Sequence, residues 1–431
     1  MTAAPAGDTD PRRWRMLALL AAAELLGMCM WFAATAVAPE LRARWGLTAG
    51  QSAWLTSVVQ LGFVAGTLLA AALNLADVVA ARTLFAASAT AGAVANLLLL
   101  ATARYPVALL LRFLTGLCLA GVYPPAMKMA ATWFRSGRGL AIGVVVGALT
   151  VGKALPYLVE AVGGVRVAPV VVVTSAAALA AALLVWLGYA DGPFAFPRRP
   201  FTPRLVVEVA RERPVRLATL GYLGHMWELY ALWAWIGAFL GASAAARAAR
   251  GLPAPGAHTI HLLTFATIAI GAVGCIWGGR LADRLGRERL VIGSLAASGI
   301  CAVLSAAAFG QSFWVLVPLV WVWGVAVIAD SAQFSALVTE TAPPHAVGTA
   351  LTLQTSLGFL LTMVTIQMVP PIVAALGWRF AFPALALGPA CGITAIRRLD
   401  RLRRTGGGHG RTTVVASGGR SRTSTPRGLD A

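Results

Sequence analysis

Residues 271–290 read GAVGCIWGGRLADRLGRERL, an apolar run that closes on Asp283, Arg284, Gly286, Arg287 and Arg289. An apolar stretch stopped abruptly by a dense basic loop is how a helix leaves hydrocarbon and meets an aqueous face. Outward from it, apolar blocks recur near 14–38, 51–75, 82–103, 105–133, 139–162, 166–190, 215–241, 258–280, 288–310, 313–338, 347–372 and 377–397. Each is close to the roughly twenty residues that span a bilayer core at helical rise. The pattern predicts an all-α integral membrane protein with twelve transmembrane helices.

Composition agrees. Of 431 residues, 58% are hydrophobic and 12% charged, whereas a soluble chain carries about a quarter charged residues. Most of the surface therefore cannot face water. The net charge of +19 suggests nucleic acid as a partner, but the basic residues do not form one patch. They sit at Arg12, Arg13 and Arg15, between Arg198 and Arg216, between Arg280 and Arg289, and from Arg397 to Arg427. The intervening connections hold only scattered bases such as Arg42, Arg104, Arg166 and Arg379. That alternation places both termini in the cytoplasm under an inner (plasma) membrane. A basic tail in that position meets anionic lipid rather than nucleic acid. Cys29, Cys118, Cys275, Cys301 and Cys391 all fall inside apolar blocks without paired spacing and read as packing residues. The first block is too long for a cleaved signal and is expected to stay as the first helix.

The Pro- and Arg-rich segment 191–214, DGPFAFPRRPFTPRLVVEVARERP, divides the chain into halves of six blocks each. The organisation expected is an N-terminal tail over 1–13, a bundle over 14–190, the loop, a second bundle over 215–397, and a disordered basic tail over 398–431. The halves look related. Leu75-Ala76-Asp77 after the second block matches Leu281-Ala282-Asp283 after the eighth, and GGVRVAP (163–169) matches ALGWRFAFP (375–383). Parallel internal repeats of this kind are common in transporters.

Three motifs resemble one family. Gly279-Arg-Leu-Ala-Asp283-Arg284-Leu-Gly286-Arg287 resembles the G-x-x-x-D-R-x-G-R loop signature of the major facilitator superfamily. Arg112-Phe-Leu-Thr-Gly116 resembles its fourth-helix pattern, and Trp133-Phe134 followed by Arg138-Gly139-Leu-Ala-Ile-Gly143 its loop into the fifth helix. The resemblance spans roughly 14–397. It implies two six-helix bundles around a central cavity that opens alternately to either side, and a role for Arg112 in proton coupling or substrate binding. It also implies a gating set of Asp77, Gly279, Asp283, Arg284, Gly286 and Arg287. Physically, Asp283 can accept and the arginines donate charge-assisted hydrogen bonds, while the glycines permit close approach and a tight turn. The first-half copy keeps only Asp77, with Leu73, Val78 and Ala80 at the other positions.

Ionisable groups deep in a bilayer are expensive and mark function by default. Here they are Glu24, Arg112, Lys153, His225, Glu228 and Asp330. Glu24 heads a stripe with Gly27, Met28, Trp31 and Thr35. In the seventh block His225 and Glu228 share a face with Tyr222, Leu232 and Trp235, a polar-centred aromatic stripe suited to a substrate cavity. Arg112 can hold an oxyanion bidentately or pair structurally with Glu24. Lys153 follows Gly139, Gly143 and Gly147, whose spacing admits a neighbouring helix. The expected substrate contacts are Trp31, Arg112, Lys153, Tyr222, His225 and Trp235. The expected proton carriers are Glu24, Glu228 and Asp330, since a desolvated acid without a fixed partner binds protons more tightly than one in water. Asp330 reads equally well as an inner-gate residue.

No phosphate-binding loop, no metal-ligand spacing with a third ligand beside His258 and His261, and no flanked nucleophile is present. An enzyme, a cofactor and a metal are therefore not expected. The expected function is secondary transport of a small solute by a monomer, proton-coupled, with an organic or inorganic anion favoured by Arg112 and Lys153. Gly143-Val-Val-Val-Gly147 followed by Ala148, Val151 and Gly152 departs from the superfamily's exporter motif, G-x-x-x-G-P-x-x-G-G. The alternatives are a uniporter, a drug or metabolite exporter, and a transporter-like sensor, which would lack a soluble output domain here.

Overall fold

A computed structural model of the chain describes residues 10–135, 137–164, 166–194 and 202–406, without the side chains of Ala76 and Asp77. Residues 1–9 of the expected N-terminal tail, 407–431 of the expected C-terminal tail and part of the central loop lie outside these residues.

Among the described residues there are twelve segments, eleven of them spans by length and apolarity and the first one broken. Segment α1 is broken into Arg12–Met28, Ala33–Ala36 and Ala38–Trp45. The other eleven are long and apolar enough to cross a bilayer: α2 Ala49–Ala72, α3 Ala81–Ala101, α4 Tyr105–Ala131, α5 Arg138–Gly163, α6 Val167–Gly188, α7 Arg213–Ala248, α8 Ala257–Leu285, α9 Arg287–Ala308, α10 Phe313–Thr341, α11 Pro344–Leu376 and α12 Trp378–Thr405. Large apolar side chains point outward around them, with Trp314 91% and Leu187 78% exposed. Such a surface fits hydrocarbon rather than water.

Local chemistry sets the ends. Thr48 and Gln51 form a reciprocal capping box that starts α2. Gly164 and Gly377 close α5 and α11 with nearly the same backbone, φ 76° ψ 167° and φ 78° ψ 168°. These are the two loops the sequence matched between halves, so the repeat extends to backbone conformation. The matched tripeptides differ: Leu75–Val78 is a separate turn beyond left-handed Asn74, whereas Leu281–Asp283 continues α8. The last helix runs to Gly406, nine residues into the expected tail. An Arg404–Asp400 pair one turn apart, and bonds from Arg403 to Glu288 and Glu340, hold that extension. Cys391 is exposed and Cys118 half-buried, so only three of the five cysteines pack as expected.

Helices α1 to α6 pack among themselves, as do α7 to α12, and the two bundles meet where α2 packs on α11 and α5 on α8. Glycine separates the two kinds of contact. Within bundles, a Cβ added at Gly116 of α4 falls 2.1 Å from the Val59 carbonyl oxygen of α2, one at Gly152 of α5 2.2 Å from Leu25 O of α1, and one at Gly278 of α8 2.1 Å from Ala329 O of α10. Between bundles, a Cβ at Gly143, Gly147 or Gly279 comes no nearer than 3.0, 3.3 and 3.5 Å to its neighbours. The spacing of Gly139, Gly143 and Gly147 therefore serves an inter-bundle face that is close-fitting, yet less tight than the contacts within each bundle. Gly116→Ala is expected to lower stability by about 1–3 kcal/mol, and Gly147→Ala to lower the detergent-solubilised melting temperature by less. Equal melting shifts for the two would remove the distinction.

Candidate functional site

The centre lies where α1, α5, α7 and α11 face one another. Helix α1 is interrupted from Cys29 to Phe32, and the break exposes backbone carbonyls in hydrocarbon, where each must find a donor. Arg112 of α4 supplies them. It is fully buried and donates through Nη2 to Met30 O (3.0 Å) and Trp31 O (2.6 Å), and through Nη1 to Asn96 Oδ1 (3.0 Å). Asn96 in turn donates to Thr174 Oγ1 (3.1 Å) and Ser175 Oγ (2.9 Å) of α6. Arg112 thus holds the unwound turn instead of a ligand, and it makes no ion pair with Glu24.

The unwound turn presents Trp31 to the centre. Its ring lies 5.1 Å from Phe63, 5.7 Å from Tyr230 and 5.6 Å from Phe359, joining α1 and α2 to α7 and α11. Lys153 enters this cluster from α5. It is 1% exposed, bonds the Tyr230 hydroxyl, and its Nζ stands 3.9 Å above Trp31, 4.6 Å from Tyr230 and 5.5 Å from Trp233. Cation–π attraction of this kind is strongest when desolvated. Glu24 lies within electrostatic range of Lys153 and of Tyr123, yet both its carboxylate oxygens are buried without a hydrogen-bond partner. The indole N–H groups of Trp31 and Trp233 and the amide of Gln60 are also buried and unpartnered.

The remaining expected contacts sit elsewhere. Tyr222 packs within the second bundle against His225 and Phe334, and a Cβ on Gly358 would strike its ring at 2.2 Å. His225 Nδ1 approaches Asp330 Oδ1 at 2.9 Å, without hydrogen-bond alignment, where α10 breaks between Ala329 and Ser331. Glu228 accepts from Ser298 (2.8 Å) and from Trp323 Nε1 (2.6 Å), facing α9 and α10 inside its own bundle. Trp235 donates to Ile366 O (3.0 Å) and packs on Trp378, away from the central cluster. The structure therefore brings together Glu24, Trp31 and Lys153 and gives Tyr222, His225, Glu228, Asp330 and Trp235 partners within the second bundle. The seventh-block stripe is helical, as expected, but it is split between two sides of that bundle.

The polar contacts seen to cross between bundles among the described residues lie between the midplane and the face opposite the termini. Thr150 touches Cys275 at 3.9 Å, Tyr157 donates to Trp233 O at 3.4 Å and Gln367 to Ser57 at 3.2 Å. Glu160 meets His261 at 3.1 Å, and His258 Nδ1 bonds Ala161 O at 2.6 Å. These two histidines join α8 to α5 instead of a metal. No cluster suited to a metal occurs among the described residues.

At the terminal face the expected gating cluster is not assembled. Asp283 and Arg284 are exposed and form no hydrogen bond or ion pair among the described residues, and Gly286 ends α8 at φ 89°. Arg287 turns to Glu340 (2.7 Å) and Gln333 (2.7 Å). Arg403 completes a chain from Glu340 to Glu288 that ties α9, α10 and α12 of one bundle together. The side chain of Asp77 lies outside the described residues.

The profile of the Major Facilitator Superfamily matches residues 19–365. Two of the solved structures that share the fold are a bacterial homologue of the human lysosomal transporter Spinster, inward-facing and occupied (15% identity, TM-score 0.68, covering 91% of this chain and 98% of that one), and the nucleoside transporter NupG (13% identity, TM-score 0.67, 89% and 99%). The same Spinster homologue in its unoccupied inward-facing form has a TM-score of 0.65 at 16% identity, covering 92% and 96%. No curated protein matches this chain. If Arg112 clamps the broken helix, Asn96→Leu strands one of its donors, and a loss of about 1–3 kcal/mol is expected. A variant that melts at the wild-type temperature would contradict the clamp.

Proposed function

The chain belongs to the Major Facilitator Superfamily, and from that premise we propose that it is a proton-coupled secondary transporter that carries a small anion by alternating access. The observation that carries this reading is the central pair. Lys153 and Glu24 are both buried, neither pairs with the other, and Lys153 lies between the two bundles.

The charge balance supplies the coupling. Empty, the pair sums to zero. With a monoanion on Lys153 and a proton on Glu24 it again sums to zero. Either ligand alone leaves a net charge in a low-dielectric centre, which costs several kcal/mol. The two half-loaded carriers are thus penalised against reorientation, and proton and anion travel together as symport. Glu228 and the His225–Asp330 pair are further proton-holding groups in the second bundle, set apart from the substrate. Trp31 and Tyr230 contact the solute alongside Lys153.

The cross-bundle bonds toward the far face, with Asp283 unpaired at the terminal face, support a state open toward the termini. The basic loops of that face put it in the cytoplasm under the inner membrane. When the bundles rock the other way, Asp283, one turn beyond Gly279 and its neighbour Gly139, reaches the basic α4–α5 loop and latches the inner side. A single chain contains every part of this cycle.

Three outcomes are expected in proteoliposomes. An inside-alkaline gradient drives anion accumulation of about tenfold per pH unit, one unit being worth about 1.4 kcal/mol per proton, with no response to membrane potential. Glu24→Gln keeps exchange and loses accumulation; uptake indifferent to the pH gradient would leave a uniporter. Asp283→Asn slows turnover at unchanged expression, and a wild-type rate would remove the latch assignment.

A further inference from the structure

The groups around Lys153 narrow the solute further, on the premise of the carrier reading above. Among the described residues only Arg112 and Lys153 are buried arginine or lysine side chains, and Arg112 is committed to Asn96 and the α1 carbonyls. One buried cation remains for a ligand. A second negative charge on that ligand would be desolvated without a partner, which hydrocarbon does not tolerate.

The rest of the cluster is aromatic. Phe63 and Phe359 are 4.5 Å apart, Tyr230 and Phe359 5.3 Å, and Tyr230 and Trp233 5.4 Å, with Trp31 touching three of these four rings. These separations are those of rings already in offset and edge-on contact, so another flat ring enters only by taking the place of such a contact. The rings come from both bundles, so a body inserted among them contacts each half at once. Two rings of this cluster carry unpartnered donors, the indole N–H of Trp31 and of Trp233, beside the unpartnered Glu24 carboxylate and Gln60 amide. A carboxylate has lone pairs enough for both indoles and the ammonium. An organic cation would meet Lys153 as a like charge. A small inorganic anion would leave the rings without an apolar partner.

We propose that the site takes a monocarboxylate with a flat aromatic body, its carboxylate on Lys153 and the indole N–H groups of Trp31 and Trp233, its ring among Phe63, Tyr230 and Phe359. Binding draws the ammonium from its seat over Trp31 onto the carboxylate, and the ligand ring takes up the aromatic contacts.

The test uses the purified full chain, first by thermal shift with benzoate, acetate, succinate, phosphate, nitrate and benzylammonium, then by labelled benzoate counterflow in proteoliposomes. Benzoate is expected to stabilise the protein and to undergo counterflow. Acetate should bind at least about tenfold more weakly for want of ring contacts, and the other four should give no shift. Lys153→Gln should lose the benzoate response. Trp31→Phe, which keeps a ring and removes one donor, should weaken it roughly three- to tenfold. Stabilisation by succinate, phosphate, nitrate or benzylammonium in place of benzoate overturns the substrate class and leaves the carrier reading standing, as does an absence of any shift. Acetate matching benzoate removes the aromatic requirement. An unchanged benzoate response in monodisperse Lys153→Gln overturns the assigned contact. Benzoate binding without counterflow upholds the ligand class and overturns the carrier.

Discussion

The guanidinium of Arg112 pairs with no carboxylate among the described residues, and the first span is unwound where it points. Each needs the other. A charged side chain in hydrocarbon requires acceptors, and a broken helix in hydrocarbon requires donors for the carbonyls it frees. The pairing fixes Trp31 at the centre of the molecule and, through Trp31, the position at which Lys153 can be tolerated. The aromatic cluster, the two-bundle contact at the midplane and the separation of Lys153 from Glu24 follow from that arrangement. Asn96, Thr174 and Ser175 extend it to the lipid-side helices and anchor it there.

Two of the breaks within the spans lie where chemistry gathers, while those at Ala120–Val122 of α4 and Ile270 of α8 do not. Segment α1 is broken beside Trp31 and α10 at Asp330, which faces His225. Discontinuous helices place polar backbone and side chains at membrane depth only where protein or solute can satisfy them. The second bundle spends its breaks and acids internally, on Ser298, Trp323 and His225, while the first presents Glu24 and Lys153 toward the junction. The halves share a repeated backbone plan down to the two glycine hinges at Gly164 and Gly377, but their charged residues have diverged in use.

Much of the architecture was legible from the sequence because hydrocarbon thickness imposes one length on every block, and basic loops mark one face. The same rules located Glu24, Arg112 and Lys153 as deep charges. They did not say what each one meets. The i, i+3 spacing of His225 and Glu228 places them on one helical face, yet a face some 100° wide looks toward more than one neighbour, and here it looks into its own bundle. Arg112 was legible as an oxyanion holder, whereas its acceptors are carbonyls released by a break that no proline or glycine pair announces at Cys29–Phe32. Tyr230 and Phe359 read as ordinary apolar positions; only the packing of α7 and α11 against α1 makes them walls for Lys153. The polar Asn96 in the middle of an apolar third block was the available signal for the Arg112 network.

The tightest glycine contacts all lie inside one half or the other: Gly62, Gly116 and Gly152 in the first, Gly278 and Gly324 in the second, the last with its Cβ position 2.1 Å from Thr267 O. Such interlocking needs no residue from the other half. During synthesis, the first six segments can therefore lock into final register while the ribosome is still producing the remainder. The later segments then enter the bilayer beside a finished partner, and only the seam between the halves is left to form last.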